Sequence, residues 1–143
     1  MLNKNDFIKE KIKNYYKTKT IKKKQINSYL EKEKTDVIYR IIHNLSNRLN
    51  NEFKKKKIKR TLKYNQYLDC NPNMLKNHLE NLFKENMNYE NYGEWEVDHI
   101  KPISSFNLND LDEAKKCFNY KNLQPLWKKD NLKKSNKINC LDK

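Results

Sequence analysis

The sequence has few of the features that mark membrane-spanning, secreted or zinc-containing proteins. It contains no run of about 18 apolar residues, so we expect no segment that crosses a bilayer. The N-terminal stretch MLNKNDFIKEKIK has no uninterrupted apolar core and does not resemble a signal peptide. The three cysteines, Cys70, Cys117 and Cys140, form no C-x-x-C pair. We therefore expect reduced thiols, no structural zinc and an intracellular location, in the cytoplasm or the nucleus.

Glycine is nearly absent as well, since Gly93 is the only one in the chain. A lone glycine is expected where the backbone needs a positive φ, so it predicts a tight turn. Directly after it, Trp95, Val97 and His99 alternate with acidic residues, which is the pattern of a β-strand. Pro102 is expected to end that strand.

Acidic residues are scarce relative to basic ones. The 143 residues carry 32 lysines and arginines against 18 aspartates and glutamates, a net charge of +14. Such an excess predicts a polyanionic partner, with nucleic acid as the first candidate and an anionic membrane surface as the second. A biased genome composition would also enrich the N-terminal lysines. The mean hydropathy of −1.20 allows a small core, in one domain or in a domain with an extension.

The first 60 residues are predicted to form a basic helical extension that binds DNA. Residues 1–34 predict one or two helices, with a solvated charged arm as the alternative. A helix over residues 36–56, with Thr35 as its N-cap, leads into a basic block at residues 54–60. Such a block contacts phosphates through charge, although it also resembles a nuclear-localisation patch. The residues predicted to contact DNA, here and in the final helix, are Arg40, Arg48, Lys54, Lys55, Lys56, Lys57, Arg60, Lys133, Lys134 and Lys137.

Residues 61–143 predict a second domain and give the chain an α+β class. Asn71 and Pro72 open a helix, and His78 on that helix is expected to be packed or solvent-facing rather than a ligand. The strand before Pro102 is followed by a loop over residues 103–110, a helix over 111–118, a short strand over 123–126 broken by Pro125, and a final helix over 130–137.

Four polar side chains of this second domain suit the hydrolysis of a phosphodiester bond. That reaction needs a base for the attacking water and positive charge beside the phosphoryl oxygens. His99 has an ordinary pKa of about 6.5, so it can accept a proton at neutral pH. Asp98 and Asn131 offer oxygen ligands that suit Mg²⁺, and Asn122 can bridge backbone groups and hold the His99 segment. Because neighbouring strand residues point to opposite faces, we expect Asp98 on the metal and His99 on the water.

Three ordered segments resemble the HNH endonuclease family. They are EWEVDHIKP, NYKNLQPLW and DNLKKSNK. The hallmark of the family is Asp-His-Ile-x-Pro, followed by Asn-Leu-Gln-Pro-Leu and then Asn-x-x-Lys. Tyr92, Gly93 and Trp95 also resemble the lead-in to the first motif, and the Leu-x-x-His-Leu-Glu helix at residues 75–80 resembles an upstream element. The resemblance extends over residues 68–139.

The resemblance implies a small ββα-metal core, also called a His-Me finger, with one catalytic divalent ion. By position, His99 corresponds to the general base, and Asp98 and Asn131 correspond to the metal ligands. Asn122 corresponds to the asparagine that steadies the loop, which completes a catalytic set of four. An asparagine at position 131 favours Mg²⁺ or Mn²⁺ over Zn²⁺.

Two features depart from the family pattern. Many relatives carry paired cysteines for a structural zinc, and this chain does not, so we expect packing alone to hold its loop. Asp69 and Asn86 stand where relatives often have glycine, which puts the local turns in question.

The expected function is therefore a divalent-metal-dependent HNH endonuclease that cuts DNA and leaves 5′-phosphate and 3′-hydroxyl ends. The alternatives are a non-catalytic nucleic-acid-binding protein that retains the HNH fold, and a basic RNA-associated protein in which the Asp-His pair is incidental. The sequence leaves open the target preference, the oligomeric state, and nicking as against double-strand cleavage. It also leaves open a homing, viral or restriction role, and with it a viral or mobile-element origin.

Overall fold

The structure, a computed structural model, describes the backbone of residues 4–141 and the side chains of residues 8–28 and 36–134. The fold is α+β, being mostly helical with a two-stranded antiparallel sheet. The chain divides into two compact units, Met1–Asp36 and Val37–Lys143. Its α-helices and strands, in chain order, are α1 (Lys4–Thr35), α2 (Val37–Lys55), α3 (Tyr64–Leu68), α4 (Pro72–Glu80), β1 (Trp95–His99), α5 (Leu111–Phe118), β2 (Leu123–Trp127) and α6 (Lys128–Leu141), and short 3-10 helices lie at Ile103–Ser105 and Tyr120–Asn122.

Helix α1 is exposed at every side chain that the structure describes in it. Residues 8–28 contain eight lysines and one glutamate, and apolar residues such as Ile12 and Tyr15 are exposed among them. The sequence predicted one or two helices in this region, and the structure has one. Within the described part of the chain, no helix combines the length and apolar character that crossing a bilayer requires.

Helix α2 supplies one wall of the core of the second unit. Its apolar residues recur every three or four positions, as predicted, and the resulting stripe is buried. That stripe consists of Ile38, Ile41, Leu45, Leu49 and Phe53. The predicted N-cap is wrong, however, because Thr35 is the last residue of α1 and α2 begins at Val37.

The boundary between the two units lies before α2 and not after it. The sequence predicted a division at residue 60, whereas the structure divides the chain at residue 36. Leu45 and Phe53 of α2 belong to the same buried cluster as Trp95 and Phe118, so α2 is part of the α+β unit. The physical reason is size, since residues beyond 60 are too few to bury a large core without this helix.

Two short helices follow the basic block. Helix α3 was not predicted, because five residues are too few for a periodic signal. It nevertheless buries Tyr64, Tyr67 and Leu68. Helix α4 begins as predicted: the Asn71 side chain accepts a hydrogen bond from the Met74 amide at 2.9 Å, and Pro72 occupies the first turn.

Strands β1 and β2 form the antiparallel sheet that carries the Asp-His pair. Trp95, Val97 and His99 face the core, while Glu96 and Asp98 are half-buried on the other face. Pro125 was expected to break β2, but it lies within the strand opposite Val97. In a two-stranded sheet both strands are edges, so a residue without an N–H can face away from its partner strand.

Four described residues have positive φ, and besides Lys57 with φ of 55° they lie at turns around the core. Gly93 has φ of 121° just before β1, where the sequence predicted a tight turn. Asp69 and Asn86, the two positions that depart from the family pattern, have φ of 58° and 63°. Aspartate and asparagine tolerate the left-handed region better than most residues, so both turns form without glycine.

The segment between the strands returns the chain to the same end of the sheet. Phe106 and Leu108 pack inwards, with relative exposures of 8% and 3%. Asp110 then caps α5 by accepting hydrogen bonds from the amides of Asp112 and Glu113. Helix α6 follows β2 without a loop and starts at Lys128, two residues before the predicted position. The order β1, β2, α6 places the start of α6 beside β1.

Candidate active site

A cavity of about 270 Å³ lies between α2, β1, the loop after β1 and the start of α6. It brings together three of the four predicted catalytic residues, namely Asp98, His99 and Asn131. Its other lining residues are Arg48, Glu52, Pro102, Ile103 and Lys134. The alternation of strand residues had placed Asp98 and His99 on opposite faces, and the structure shows that both faces border one cavity at the end of β1.

His99 is the one buried polar or charged residue of the described core, with a relative exposure of 3%. Its ring packs edge-on against Phe118, with 5.5 Å between the ring centroids. Its Nε2 atom is buried and has no hydrogen-bond partner among the described residues. A buried polar atom without a partner is costly in a folded protein, so such atoms are rare and often mark functional sites.

The surroundings of His99 hold its imidazole in the neutral form. Burial, together with the positive charges of Arg48 and Lys134, lowers the pKa of His99 to about 4. The carboxylates of Asp98 and Glu52 act in the opposite direction but do not outweigh burial. At neutral pH the ring is therefore uncharged and can accept a proton.

Asp98 lies between two positively charged side chains. The Lys134 Nζ donates a 2.7 Å hydrogen bond to Asp98 Oδ2, and Arg48 Nη1 is 3.9 Å from Asp98 Oδ1. The same two cations also contact the backbone of β1. Lys134 Nζ donates to the carbonyl oxygen of His99 at 2.9 Å, and Arg48 Nη1 donates to that of Val97 at 3.2 Å. These bonds fix the carboxylate in the cavity wall, where its side chain is 16% exposed.

Asn131 lies in the first turn of α6, next to the sheet. Its side-chain nitrogen donates a hydrogen bond to Glu96 Oε1, so Glu96 orients the amide group. The amide oxygen makes no hydrogen bond to a described residue and is the atom of Asn131 available to a metal.

Asn122 holds the backbone that follows His99. Its Oδ1 accepts a hydrogen bond from the Lys101 amide at 2.9 Å, and its Nδ2 donates to the carbonyl oxygens of Lys101 and Cys117 at 3.1 and 2.9 Å. Its own carbonyl oxygen accepts a hydrogen bond from the Ile100 amide at 2.8 Å. Asn122 therefore bridges backbone groups, which is the role that the sequence predicted for its side chain.

The oxygen atoms at the cavity fit a small hard cation better than a zinc ion. Across the described residues, no three His, Cys, Asp or Glu side chains cluster in an arrangement that could hold a metal. Asp98 nevertheless offers a carboxylate and Asn131 an amide oxygen. One or two protein carboxylates or carbonyls, with several retained waters, are the usual ligands of Mg²⁺. The pair therefore offers the ligand types that Mg²⁺ or Mn²⁺ takes, and the binding of such an ion stays a prediction.

The predicted DNA-contacting residues fall into two groups. Lys54, Lys55, Lys56, Lys57 and Lys133 are exposed, although Lys55 also pairs with Glu52 at 2.9 Å. Lys137 lies outside the residues whose side chains are described. The remaining four contact the protein itself, namely Arg40, Arg48, Arg60 and Lys134.

The inward-facing residues of that second group have defined protein partners. The Arg40 guanidinium stacks 5.1 Å from the centre of the Tyr92 ring. Arg60 donates hydrogen bonds of 2.7 Å to the carbonyl oxygen of Leu62 and to Asn50 Oδ1. For Arg48 and Lys134 the partners are Asp98 and the backbone of β1, so both side chains lie in the wall of the cavity, and their contact with DNA stays a prediction.

Helix α2 contributes a residue to the cavity that sequence reasoning missed. Glu52 lines the cavity and lies one helical turn after Arg48. The sequence signal that was available is this spacing of four residues, which puts both side chains on one face of the helix. It was not used because α2 was assigned to a separate extension.

A larger cavity of about 520 Å³ lacks the catalytic set. Of the four predicted catalytic residues it includes Asn122, and its charged lining consists of three lysines and Asp69. The nearby His78 is structural, as expected: its Nε2 is 2.8 Å from the carbonyl oxygen of Leu123, and its ring packs edge-on against Tyr120.

Comparison with known proteins finds relatives in a giant virus. Two uncharacterized proteins of Acanthamoeba polyphaga mimivirus are similar to this chain, one at 36% identity over 73% of the chain and the other at 31% over 82%. The aligned segments cover 45% and 56% of those proteins, so the chain spans about half the length of the curated relatives it matches. Both matches agree with a viral origin, one of those that the sequence left open. No family model matches the chain, and no solved structure does.

Proposed function

We propose that this protein is a divalent-metal-dependent endonuclease of the HNH type that hydrolyses phosphodiester bonds in DNA. The observation that carries the proposal is the buried His99, whose unpartnered Nε2 borders the same cavity as Asp98 and Asn131. A base without a partner, next to two oxygen ligands, is the arrangement that metal-assisted hydrolysis needs.

The order of elements around the cavity supports an HNH core. Strands β1 and β2 pair in antiparallel fashion, and α6 follows β2 directly. This ββα unit carries the Asp-His pair on its first strand and Asn131 on its helix. Asn122, immediately before the second strand, ties the segment after His99 to the end of α5.

The residues divide the reaction between them. His99 takes a proton from the attacking water, which a neutral imidazole with an unpartnered nitrogen can do. The water attacks the phosphorus in line with the 3′ oxygen, which leaves and is protonated, so the products carry 5′-phosphate and 3′-hydroxyl ends. Asn122 keeps the backbone beyond His99 in place, and Glu96 keeps the Asn131 amide oriented through its hydrogen bond.

Asp98 and Asn131 would hold one Mg²⁺ or Mn²⁺ ion. Such an ion, when bound, supplies positive charge to the phosphoryl oxygens and to the departing oxygen. The net charge of +14 supports a polyanionic substrate. The exposed lysines at positions 54–57 lie in the last turn of α2 and immediately after it, and α2 also provides two residues of the cavity.

A plasmid-nicking assay tests the proposal. Supercoiled DNA incubated with the full chain should be converted to nicked or linear forms in Mg²⁺ or Mn²⁺ but not in EDTA. The products should be substrates for DNA ligase, which requires 5′-phosphate and 3′-hydroxyl ends. A purified protein that binds DNA but does not cut it with any divalent ion would instead be a non-catalytic DNA-binding protein.

A further inference from the structure

Lys134 points into the cavity and not towards the surface of α6. Its Nζ atom donates hydrogen bonds to two oxygen atoms of β1, Asp98 Oδ2 at 2.7 Å and the carbonyl oxygen of His99 at 2.9 Å. The Lys134 side chain is 32% exposed and the Asp98 side chain 16% exposed. Its neighbour Lys133, on the same helix, is exposed. The two adjacent lysines therefore have different environments.

The ammonium group of Lys134 occupies the kind of place that a metal ion would take. It carries a positive charge and lies within hydrogen-bond distance of two oxygens, one of them from the carboxylate of the proposed metal ligand. A Mg²⁺ ion bound to Asp98 Oδ2 would lie about 2.1 Å from that oxygen. With the ammonium still in place, the two cations would be about 4 Å apart, and their repulsion would oppose metal binding.

We propose that Lys134 is a built-in cation that occupies the metal-facing oxygen of Asp98 in the metal-free protein and leaves it when a divalent ion binds. The inference rests on the proposed metal site. It assigns Lys134 a positioning role: the lysine pairs with the Asp98 carboxylate and holds it in the cavity wall until the ion arrives. After the exchange, the ammonium group is free to pair with a phosphate of the bound strand.

The exchange links metal binding to DNA binding. A phosphate that accepts the released ammonium group makes its departure from Asp98 more favourable, so DNA should raise the affinity for the metal. By reciprocity the metal should raise the affinity for DNA by the same factor. This coupling discourages the ion from occupying the site before a substrate is present.

The experiment compares Mn²⁺ binding by the wild-type chain and by Lys134→Met, without DNA, by the electron paramagnetic resonance signal of free Mn²⁺. Methionine keeps an unbranched side chain with good helix propensity and removes the charge. We expect the variant to bind Mn²⁺ about tenfold more tightly, in the range typical of coupled sites. Lys134→Gln, a second neutral variant, should show the same gain, and circular dichroism verifies folding of both.

Two controls locate the effect. Lys133→Met removes the same charge from the same helix and should bind Mn²⁺ like the wild type. Adding Asp98→Asn to Lys134→Met should abolish the gain, because the carboxylate that receives the ion is then missing. Unchanged or weaker Mn²⁺ binding in both neutral variants of Lys134 would overturn the inference, as would an equal gain in Lys133→Met.

A second arm measures the coupling to DNA. In a His99→Ala background, which should not cut, a short duplex should tighten Mn²⁺ binding, and Lys134→Met should remove most of that tightening. The outcome is separable from that of the proposed function. If the wild type cleaves plasmid but the substitutions of Lys134 leave Mn²⁺ affinity unchanged, the proposed exchange is wrong and the nuclease proposal stands. Absence of cleavage with every divalent ion would overturn the nuclease, whatever the Mn²⁺ titration shows.

Discussion

Asn122 and Lys101 are joined by a reciprocal pair of hydrogen bonds. The Asn122 amide oxygen accepts from the Lys101 N–H at 2.9 Å, and the Asn122 amide nitrogen donates to the Lys101 carbonyl oxygen at 3.1 Å. A single side chain thus satisfies both backbone groups of a residue two positions after His99. The same nitrogen also bonds the Cys117 carbonyl oxygen at 2.9 Å, which ties the loop to the end of α5.

The first prediction concerns the stability that this pair provides. Asn122→Ala leaves three backbone groups without their partner, so the free energy of unfolding should fall by about 1–3 kcal/mol. Cleavage should fall as well, because the backbone beyond His99 loses its support. Urea unfolding followed by circular dichroism measures the first effect, and plasmid nicking measures the second.

The matched control for Asn122 is Asn109→Ala. The Asn109 side chain is exposed, and no described residue bonds it, so both stability and cleavage should stay near wild type. Asn122→Asp adds a sharper comparison, since it keeps the oxygen acceptor and loses both donated bonds. Wild-type stability in Asn122→Asp would show that the bonds to the carbonyl oxygens of Lys101 and Cys117 contribute little.

The second prediction concerns His99 as the general base. His99→Ala should lower the cleavage rate by about 10²–10⁴-fold, the typical contribution of a positioned base, while DNA affinity stays nearly unchanged. Gel shift in the presence of Ca²⁺ or EDTA measures affinity, and plasmid nicking in Mg²⁺ measures the rate. A variant that folds but no longer binds DNA would mean that His99 contributes to binding and not to the proton transfer.

The third prediction concerns the pH dependence of stability without metal. The unfolded His99 titrates near pH 6.5, whereas burial lowers the pKa of the folded residue to about 4. Between these values the unfolded state binds the extra proton. The free energy of unfolding is therefore highest above about pH 6.5. The titration of His99 lowers it as pH falls towards 4, by an amount on the order of 3 kcal/mol.

Urea unfolding at a series of pH values in EDTA tests this, with His99→Gln as the comparison. Glutamine does not titrate. The free energy of unfolding should therefore fall less between pH 6.5 and 4 in the variant than in the wild type, and the difference is the contribution of His99. Parallel curves for the two proteins across this interval would show that His99 does not couple to folding and that carboxylates account for the whole dependence.

The parts of the fold that follow from regular patterns were predictable. Period-two alternation gave β1, the apolar repeat gave α2, and Asn71 with Pro72 marked the start of α4. These signals are local, because each depends on side chains within one element. Gly93 is a further case, since its φ of 121° is a conformation that few other residues adopt at low cost.

The cavity could be predicted only in part, because its electrostatics come from contacts distant in sequence. Arg48 and Lys134 were predicted to meet DNA, as charged residues off an apolar stripe ordinarily face solvent. In the structure they contact oxygen atoms of β1 that are 49 and 35 positions away, and their contacts with DNA stay a prediction. Glu52 of α2 likewise meets residues of β1 and α6 that are distant in sequence. The low pKa of His99 depends on burial, which only the assembled core creates.

The last prediction concerns the basic block at residues 54–60, which begins in the last turn of α2. If the full chain makes six to ten phosphate contacts, its DNA affinity should fall by about 10³–10⁵ between 50 and 200 mM salt. Lys54, Lys56 and Lys57 are exposed, and no described acidic side chain pairs with them. Replacing all three with serine should lower the slope of log affinity against log salt by about 2.7 units, or 0.9 for each contact.

The comparison for this triple variant is the replacement of Lys115, Lys116 and Lys121, which removes the same charge around the larger cavity. Fluorescence anisotropy of a labelled duplex at four salt concentrations gives both slopes. A larger change in slope for the first variant than for the second would place phosphate contacts at the end of α2, the helix that also carries Arg48 and Glu52. Equal changes in the slope would mean that the two variants act through net charge alone, and that DNA makes no preferred contact with the basic block.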